Sequence, residues 1–462
     1  MFPLINYTIP HLRAHATTEG VLQETSLINQ SDGPSTTSHI SFMVSSFRTP
    51  LRLATRCCQA KLPRCHHRPS SSCHRPARAD RAERVDAMII SNPPAGSSST
   101  KMPVPLHTAL FFPGHGVQRV GMTNTWLEAF PSTVKPFLEE MDSILDFRLS
   151  TIISHGPNSK LNRTENSQPA IMAMSIMILR VLNEHFGFDT ASRIDVTLGH
   201  SLGEYAALVA GGYLDYEPAL KMVRRRADIM AQCTANARSL TGETYGMVAL
   251  VCEPDRLSDL ITTIREFVDH GSQGSNDDSR YGIPPIQQVS IANINSKNQI
   301  VLSGSIERIK YLLVQLRQFS GHDPRAVRLR SDSPFHSPVM KPAADYMRQA
   351  LEQVDVHFSP SLIPCVSNVS GVPFQSKENL KHLLSRQCVE TVRWWDSIRY
   401  LDQERGVKRW IGIGPGKVGR NLVGKEVGKV PARGGGVWAI CDPREIEEIL
   451  SELHKTGEGE CA

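Results

Sequence analysis

The chain has 462 residues, room for about three structural units at ~150 residues each. Its 51 basic and 46 acidic side chains leave a net charge of +5, and that whole excess lies in residues 1–100. The remainder is balanced, which argues against a bulk basic surface for nucleic acid. With 40% apolar and 21% charged residues, the body can bury an ordinary globular core. The most apolar stretch, 170–182, is broken by Ser175 and Arg180 and falls short of the ~18 apolar residues of a membrane span.

Residues 44–79 contain no acidic side chain but carry Arg48, Arg52, Arg56, Lys61, Arg64, Arg68, Arg75 and Arg78 among many serines. Arg-rich, Ser-rich and acid-poor composition describes an organelle transit peptide. Residues 1–42 fit that pattern poorly, and Met43 opens a better presequence, so the first 42 residues read as an upstream extension. Residues 91–100, rich in Ser and Pro, read as a linker. The ten cysteines are too scattered for a disulfide framework. Cys57, Cys58, Cys65, His66, His67, Cys73 and His74 do not follow the paired spacing of zinc ligands, and no metal site is expected.

From Leu106 the texture changes. Residues 106–112 read as a buried strand ending in the turn Pro113-Gly114-His115-Gly116. Asn166 and Ser167 with Pro169 mark a helix start, followed by apolar residues through Leu182. A short strand at 194–198 and a long helix at 217–237 follow. Strands alternating with helices predict an α/β fold with a parallel sheet. Strand-rich segments at 246–251, 290–294 and 299–303, with helices at 254–267 and 306–319, predict a small inserted α+β subdomain. Residues 269–285 read as a polar surface loop. A strand at 410–413 then precedes the turn Gly414-Pro415-Gly416-Lys417. The expected division is 1–100 for targeting, extension and linker, 106–237 and 338–460 for the large subdomain, and 238–337 for the small one. A helix is expected near the C-terminus.

Gly199-His200-Ser201-Leu202-Gly203 matches G-x-S-x-G between a predicted strand and a predicted helix. The glycines permit a strained turn that lifts the serine hydroxyl above the sheet, and the following amide can stabilise an oxyanion. Serine needs a base. His200 is nearest, but adjacent residues on such a turn point apart. His336 follows a predicted strand at 326–330, where Ser337 and Pro338 start the next helix, at the rim where α/β sites form.

On the helix from Glu217, Ala219, Val223, Ala227 and Met230 make one apolar face. Arg226 falls in its middle, while Arg224 and Arg225 project away, towards Lys221 and Asp228. An inward arginine is costly unless it meets an anion. Periodicity leaves two alternatives open: a buried carboxylate of the protein, or the carboxylate of a ligand.

Six segments in order identify a family resemblance. They are Phe112-Pro113-Gly114-His115-Gly116-Val117-Gln118, Ser167-Gln168-Pro169-Ala170, Gly199-His200-Ser201-Leu202-Gly203-Glu204 and Asn293-Ile294-Asn295-Ser296. Pro334-Phe335-His336 with Met340-Lys341-Pro342, and Gly414-Pro415-Gly416-Lys417-Val418, complete the set. From about Leu106 to Leu422 the chain resembles malonyl-CoA:acyl carrier protein transacylases, and the acid-poor N-terminal stretch gives it the look of the mitochondrial form.

The resemblance implies a hydrolase-like α/β core with a ferredoxin-like insert. It implies Ser201 as nucleophile, His336 as base, the Gln387 backbone carbonyl as its orienting group, and the amides of Leu202 and His115 as oxyanion hole. Arg226 would pair with the free carboxylate of malonate. Gln168, Asn295, Phe335 and Met230 would line the pocket and its coenzyme A entrance. The implied activity is ping-pong malonyl transfer from malonyl-CoA to holo acyl carrier protein, in the mitochondrial matrix with the cytoplasm as the alternative, by a monomer without cofactor or metal, supplying fatty acid synthesis. The rivals are a serine thioesterase or hydrolase on the same elbow, and a non-catalytic scaffold. The chain departs from the family in having His115 where glutamine is usual, and in the length of its 269–285 loop.

Overall fold

The structure, a computed structural model, describes residues 106–270, 288–428, 431 and 434–457. The predicted transit peptide, the Cys/His cluster and most of the 269–285 loop lie outside them. In chain order the strands are β1 (Thr108–Phe112), β2 (Val196–Gly199), β3 (Tyr245–Val251), β4 (Ser290–Ser296), β5 (Gln299–Ser305), β6 (Arg325–Arg328), β7 (Cys365–Val366), β8 (Arg409–Ile413) and β9 (Gly436–Ile440).

Two sheets form. Strands β7-β2-β1-β8-β9 lie side by side and all parallel. Every residue of β1 and β2 is buried, as expected for central strands covered by helices on both faces. The second sheet, β4-β5-β3-β6, is antiparallel. Helices Leu257–His270 and Ile306–Phe319 complete a βαββαβ unit with the ferredoxin-like strand order. This unit is inserted between β2 and β7. Its β4 edge joins the larger sheet's loops: the Ile294 amide donates to the Val392 carbonyl at 3.0 Å, and Val392 returns a bond to Ala292 at 2.8 Å.

Several boundaries differ from the sequence expectation. The helix placed at Asn166 begins at Thr164 and runs to Phe186, so Pro169 sits inside it rather than at its start. A proline there cannot donate to the Glu165 carbonyl. Arg224 Nη1 fills that role, donating to Glu165 O at 3.0 Å and to Asn166 Oδ1 at 3.2 Å. Arg224 also reaches Asp228 at 3.3 Å and lies over the Phe147 ring. Its expected outward projection is therefore corrected: Arg224 is half-buried between two helices, and only Arg225 is exposed. The long helix spans Tyr216–Thr241. The helix before the polar loop runs to His270, past the expected start of that loop at Asp269. Helices Pro131–Leu145 and Leu149–His155, which the motifs did not mark, pack against Thr164–Phe186, the first of them on its C-terminal half through Glu140 with Arg180 and Thr133 with Glu184. Among the described residues no helix is long and apolar enough to cross a membrane.

Two glycines dictate the geometry after β2. A Cβ on Gly199 would lie 2.0 Å from the Gly203 carbonyl carbon and oxygen, and one on Gly203 2.5 Å from the Phe112 carbonyl oxygen. These neighbours are backbone and cannot swing aside. Gly199→Ala should therefore destabilise the protein well beyond the ~1 kcal/mol typical of a point substitution. Gly424→Ala, on a helix with open space around its Cβ, should instead stabilise by about 0.5–1 kcal/mol. Denaturant unfolding of the two variants measures both; equal effects would mean the turn can relax.

Candidate active site

The strand β2 ends at Gly199 and the helix Gly203–Ala210 begins four residues later, so the chain must reverse within the intervening turn. Ser201 takes the strain, with φ at +52°. Backbone bonds from His200 N to Phe112 O (3.0 Å) and from Gly203 N to His200 O (2.9 Å) hold the turn. Asn368, just past β7, clamps it. Its Oδ1 accepts the Ser201 amide at 2.7 Å, and its Nδ2 donates to the Gly199 carbonyl at 2.7 Å.

His336 also has positive φ, +57°, and is buried. Its Nδ1–H donates to the carbonyl of Gln387 at 2.8 Å and that of Glu390 at 3.2 Å. Carbonyls only accept, so the proton resides on Nδ1 and Nε2 is left as an acceptor. The Ser201 hydroxyl donates to it at 2.7 Å. Burial, reinforced by the Arg226 charge, pushes the imidazole pKa down to about 3, so it is neutral and able to take a proton.

His200 is directed elsewhere. Its Nε2 meets Asn295 Oδ1 at 2.9 Å and its ring packs edge-on against Trp394, at 5.3 Å between centroids. Asn295 lies on β4, so this bond ties the small sheet to the elbow. The N–H of Leu202, at the start of the helix, and that of His115 meet no acceptor among the described residues. The His115 ring packs edge-on against Phe335 at 5.4 Å, and its Nε2 is buried without a described partner. Burial lowers its pKa to about 4.

Arg226 is 1% exposed, on the inner face of Tyr216–Thr241, over the Tyr205 ring. Its Nη1 donates to Gln168 Oε1 at 2.6 Å and its Nη2 to Gln387 Oε1 at 2.9 Å. Gln168 Nε2 in turn points to Met230 Sδ at 3.6 Å. Both acceptors are neutral amides, the Cys388 thiol, held neutral by burial, also lies against the guanidinium, and Nε meets no hydrogen-bond partner among the described residues. Of the two alternatives left by periodicity, a direct pair with a buried carboxylate is not what the fold builds. The Gln387 amide connects this arginine to the nucleophile, because its Nε2 donates to the Ser201 carbonyl at 2.7 Å.

Comparison with known proteins decides the family. Residues 110–258 match the acyl transferase domain family. The malonyl CoA-acyl carrier protein transacylase of Bacillus subtilis is 32% identical over 345 residues, covering 75% of this chain and 96% of that protein. The chain belongs to the malonyl-CoA–acyl carrier protein transacylase family. The solved acyl-carrier-protein S-malonyltransferase of Bartonella henselae superimposes with a TM-score of 0.62 at 31% identity, covering 76% of this chain and 100% of that one. A malonyl-transacylase solved with a type II polyketide acyl-carrier protein superimposes at 0.61, with 29% identity, over 75% of this chain and 99% of its own. Both sheets of the transacylase family fold are present here.

Four contributors to the site were not singled out from sequence. Asn368 and the Glu390 carbonyl carry no motif. Glu204 lies within the elbow, but an acidic residue in a helix's first turn is ordinary and signals no role. For Gln387 the resemblance points to the carbonyl and says nothing of the side chain.

Protonation of His336 should show in stability. Its folded pKa lies below the free value of 6.5, so between pH 6.5 and about 3 the unfolded chain takes up a proton that the native state refuses. Stability is lost as pH falls through that window, by about 1.4 kcal/mol per pH unit from this residue. Glu204, pushed up to about 7 by burial, acts in the opposite sense between 4.5 and 7. His336→Ala should therefore flatten the acid side of the stability curve by about that slope relative to wild type. Parallel curves from chemical denaturation between pH 6 and 4 would refute the neutral, buried imidazole.

Proposed function

We propose that this protein transfers the malonyl group of malonyl-CoA to the phosphopantetheine thiol of holo acyl carrier protein, supplying fatty acid synthesis. The observation that carries the proposal is Arg226: a buried guanidinium, surrounded by neutral groups and one side-chain amide away from a serine hydrogen-bonded to a neutral histidine. Such a cation suits an acyl group that itself ends in a carboxylate.

His336 Nε2 takes the Ser201 proton as the hydroxyl oxygen attacks the thioester carbonyl. The resulting oxyanion accepts from the amides of Leu202 and His115. When it collapses, the carbon–sulfur bond breaks and His336 returns the proton to the departing coenzyme A sulfur, leaving a malonyl-serine ester. The carrier thiol then gives its proton to His336, attacks the ester and restores the serine. Backbone carbonyls on Nδ1 hold the imidazole in its tautomer without the counter-charge a carboxylate would give. A thiol is a good leaving group, so this dyad suffices where amide cleavage calls for a triad. Proton transfer and oxyanion stabilisation are supplied by the chain itself, so the reaction calls for no metal or cofactor. Gln168, Met230, Phe335 and Asn295 line the acyl pocket and its coenzyme A entrance.

Arg226→Ala should lower malonyl loading by roughly 30- to 5,000-fold, the cost of about 2–5 kcal/mol for losing one partner of a desolvated charged pair. Acetyl loading should be spared or improved. Arg225→Ala, exposed on the same helix, is the control. The measurement is the ratio of malonyl to acetyl adducts on Ser201 by mass spectrometry. An equal fall for both donors would assign Arg226 to structure alone, and release of free malonate faster than carrier loading would assign the protein to the hydrolases.

We also propose that the protein acts as a monomer in the mitochondrial matrix. The acid-poor, Arg- and Ser-rich segment 44–79 supports the address. N-terminal sequencing of protein from purified organelles should find a mature start between Ala79 and Pro105. An intact Met1 on the abundant form would reject the cleavage and the address together.

A further inference from the structure

Glu204 is the one Asp or Glu with a buried side chain among the described residues, and it is wholly shielded from solvent. Its Oε1 accepts the Asn368 amide at 2.8 Å and its Oε2 accepts Gln387 Nε2 at 2.6 Å. No described cation lies within ion-pair distance of it. Arg226, the buried cation of the same cluster, lies at the other end of the Gln387 amide. A buried carboxylate with no direct counter-ion is expensive to keep, which calls for a role beyond filling space.

We propose that Glu204 is a positioning residue that orients Arg226 towards the carboxylate of the acyl group through the Gln387 amide. The inference rests on the transferase function proposed above and adds a determinant of its preference for diacid over neutral donors. The physics is that of a dipole held between two charges. The Glu204 carboxylate draws the Gln387 nitrogen inward, which turns the amide oxygen out to Arg226 Nη2. With nitrogen and oxygen exchanged, a donor would face the guanidinium, and two acceptors would face each other at Glu204.

The spacer has a second consequence. A direct Glu204–Arg226 pair would compete with any incoming carboxylate for the guanidinium. Separated by one amide, the protein's own carboxylate balances the charge at a distance and leaves the cation free to pair with substrate. The other groups acting on Glu204, from Tyr205, Cys365 and Cys388, are held in their neutral forms by burial.

The test is Glu204→Gln in the whole protein, with KM and kcat measured at pH 8, where the carboxylate is charged, for malonyl-CoA and for acetyl-CoA as donors to holo acyl carrier protein. A glutamine at this position offers one acceptor oxygen to two donors, so the Gln387 nitrogen keeps only the Ser201 carbonyl and its amide is held less firmly towards Arg226. Malonyl-CoA should lose roughly tenfold to a hundredfold more than acetyl-CoA, chiefly in KM, the scale of a hydrogen bond to a charged group. Glu204→Asp, which keeps the charge but withdraws it by one methylene, should shift the ratio the same way, and it is judged by the same criterion if the glutamine variant does not fold. An equal loss for both donors would mean that Glu204 merely holds the Asn368 clamp, and an unchanged ratio would mean that it does nothing to Arg226; either overturns the inference. Wild-type protein that loads neither donor overturns the transferase function itself, a separate result.

Discussion

Gln387 stands where the separate requirements of the site meet. Its carbonyl holds His336 in one tautomer, its amide oxygen holds Arg226, and its amide nitrogen is shared between the Ser201 carbonyl and Glu204. Ser201, His336 and Arg226 thus share one residue whose side chain is wholly buried. An apolar residue there would orphan three buried polar groups, each at a cost of about 1–3 kcal/mol. A carboxylate would set a second anion against Glu204. Only a side chain with a donor at one end and an acceptor at the other satisfies both charges.

Of the three described non-glycine residues with positive φ, two are Ser201 and His336. The third, Asp146, caps a helix in the left-handed region, a usual place for such a residue. Strain at Ser201 and His336 persists because their surroundings over-determine them. Around Ser201 these are the Gly199–Gly203 approach and the Asn368 clamp. Around His336 they are the two carbonyls and the Ser337 hydroxyl, which donates to Pro334 O at 2.6 Å. The hydroxyl and the imidazole nitrogen are thereby set at hydrogen-bond distance before any substrate arrives, which is where positioning contributes most to rate.

The inserted sheet takes part through His200 rather than through its own chemistry. Asn295 on β4 receives His200, and the β4 edge continues into the Val392 segment, two residues beyond Glu390. The subdomain is thus bound to both halves of the site, to the elbow on one side and to the loop that holds the base on the other. His200, second in the elbow motif, is the joint between the two sheets.

What the sequence determined alone was local. The strand–turn–helix setting singled out Ser201, and a 3.6-residue period turned Arg226 inward, because both signals arise within one turn or one helix. The parallel α/β core and the inserted α+β unit were legible for the same reason, while the true start of the helix at Thr164 was not. There the carbonyl that Pro169 leaves free is taken by Arg224, from another helix. The clamp by Asn368 on Ser201 spans 167 residues and the Glu204–Gln387 bond 183. The first exists because β7 and β2 are neighbours in the sheet, and the second because the helix that follows β7 ends beside the elbow; no periodicity records either. Hydrogen bonds between distant segments depend on which strands pair, and strand pairing is settled by the burial of whole faces, so the groups around the arginine and those that hold the elbow appeared only in the folded chain.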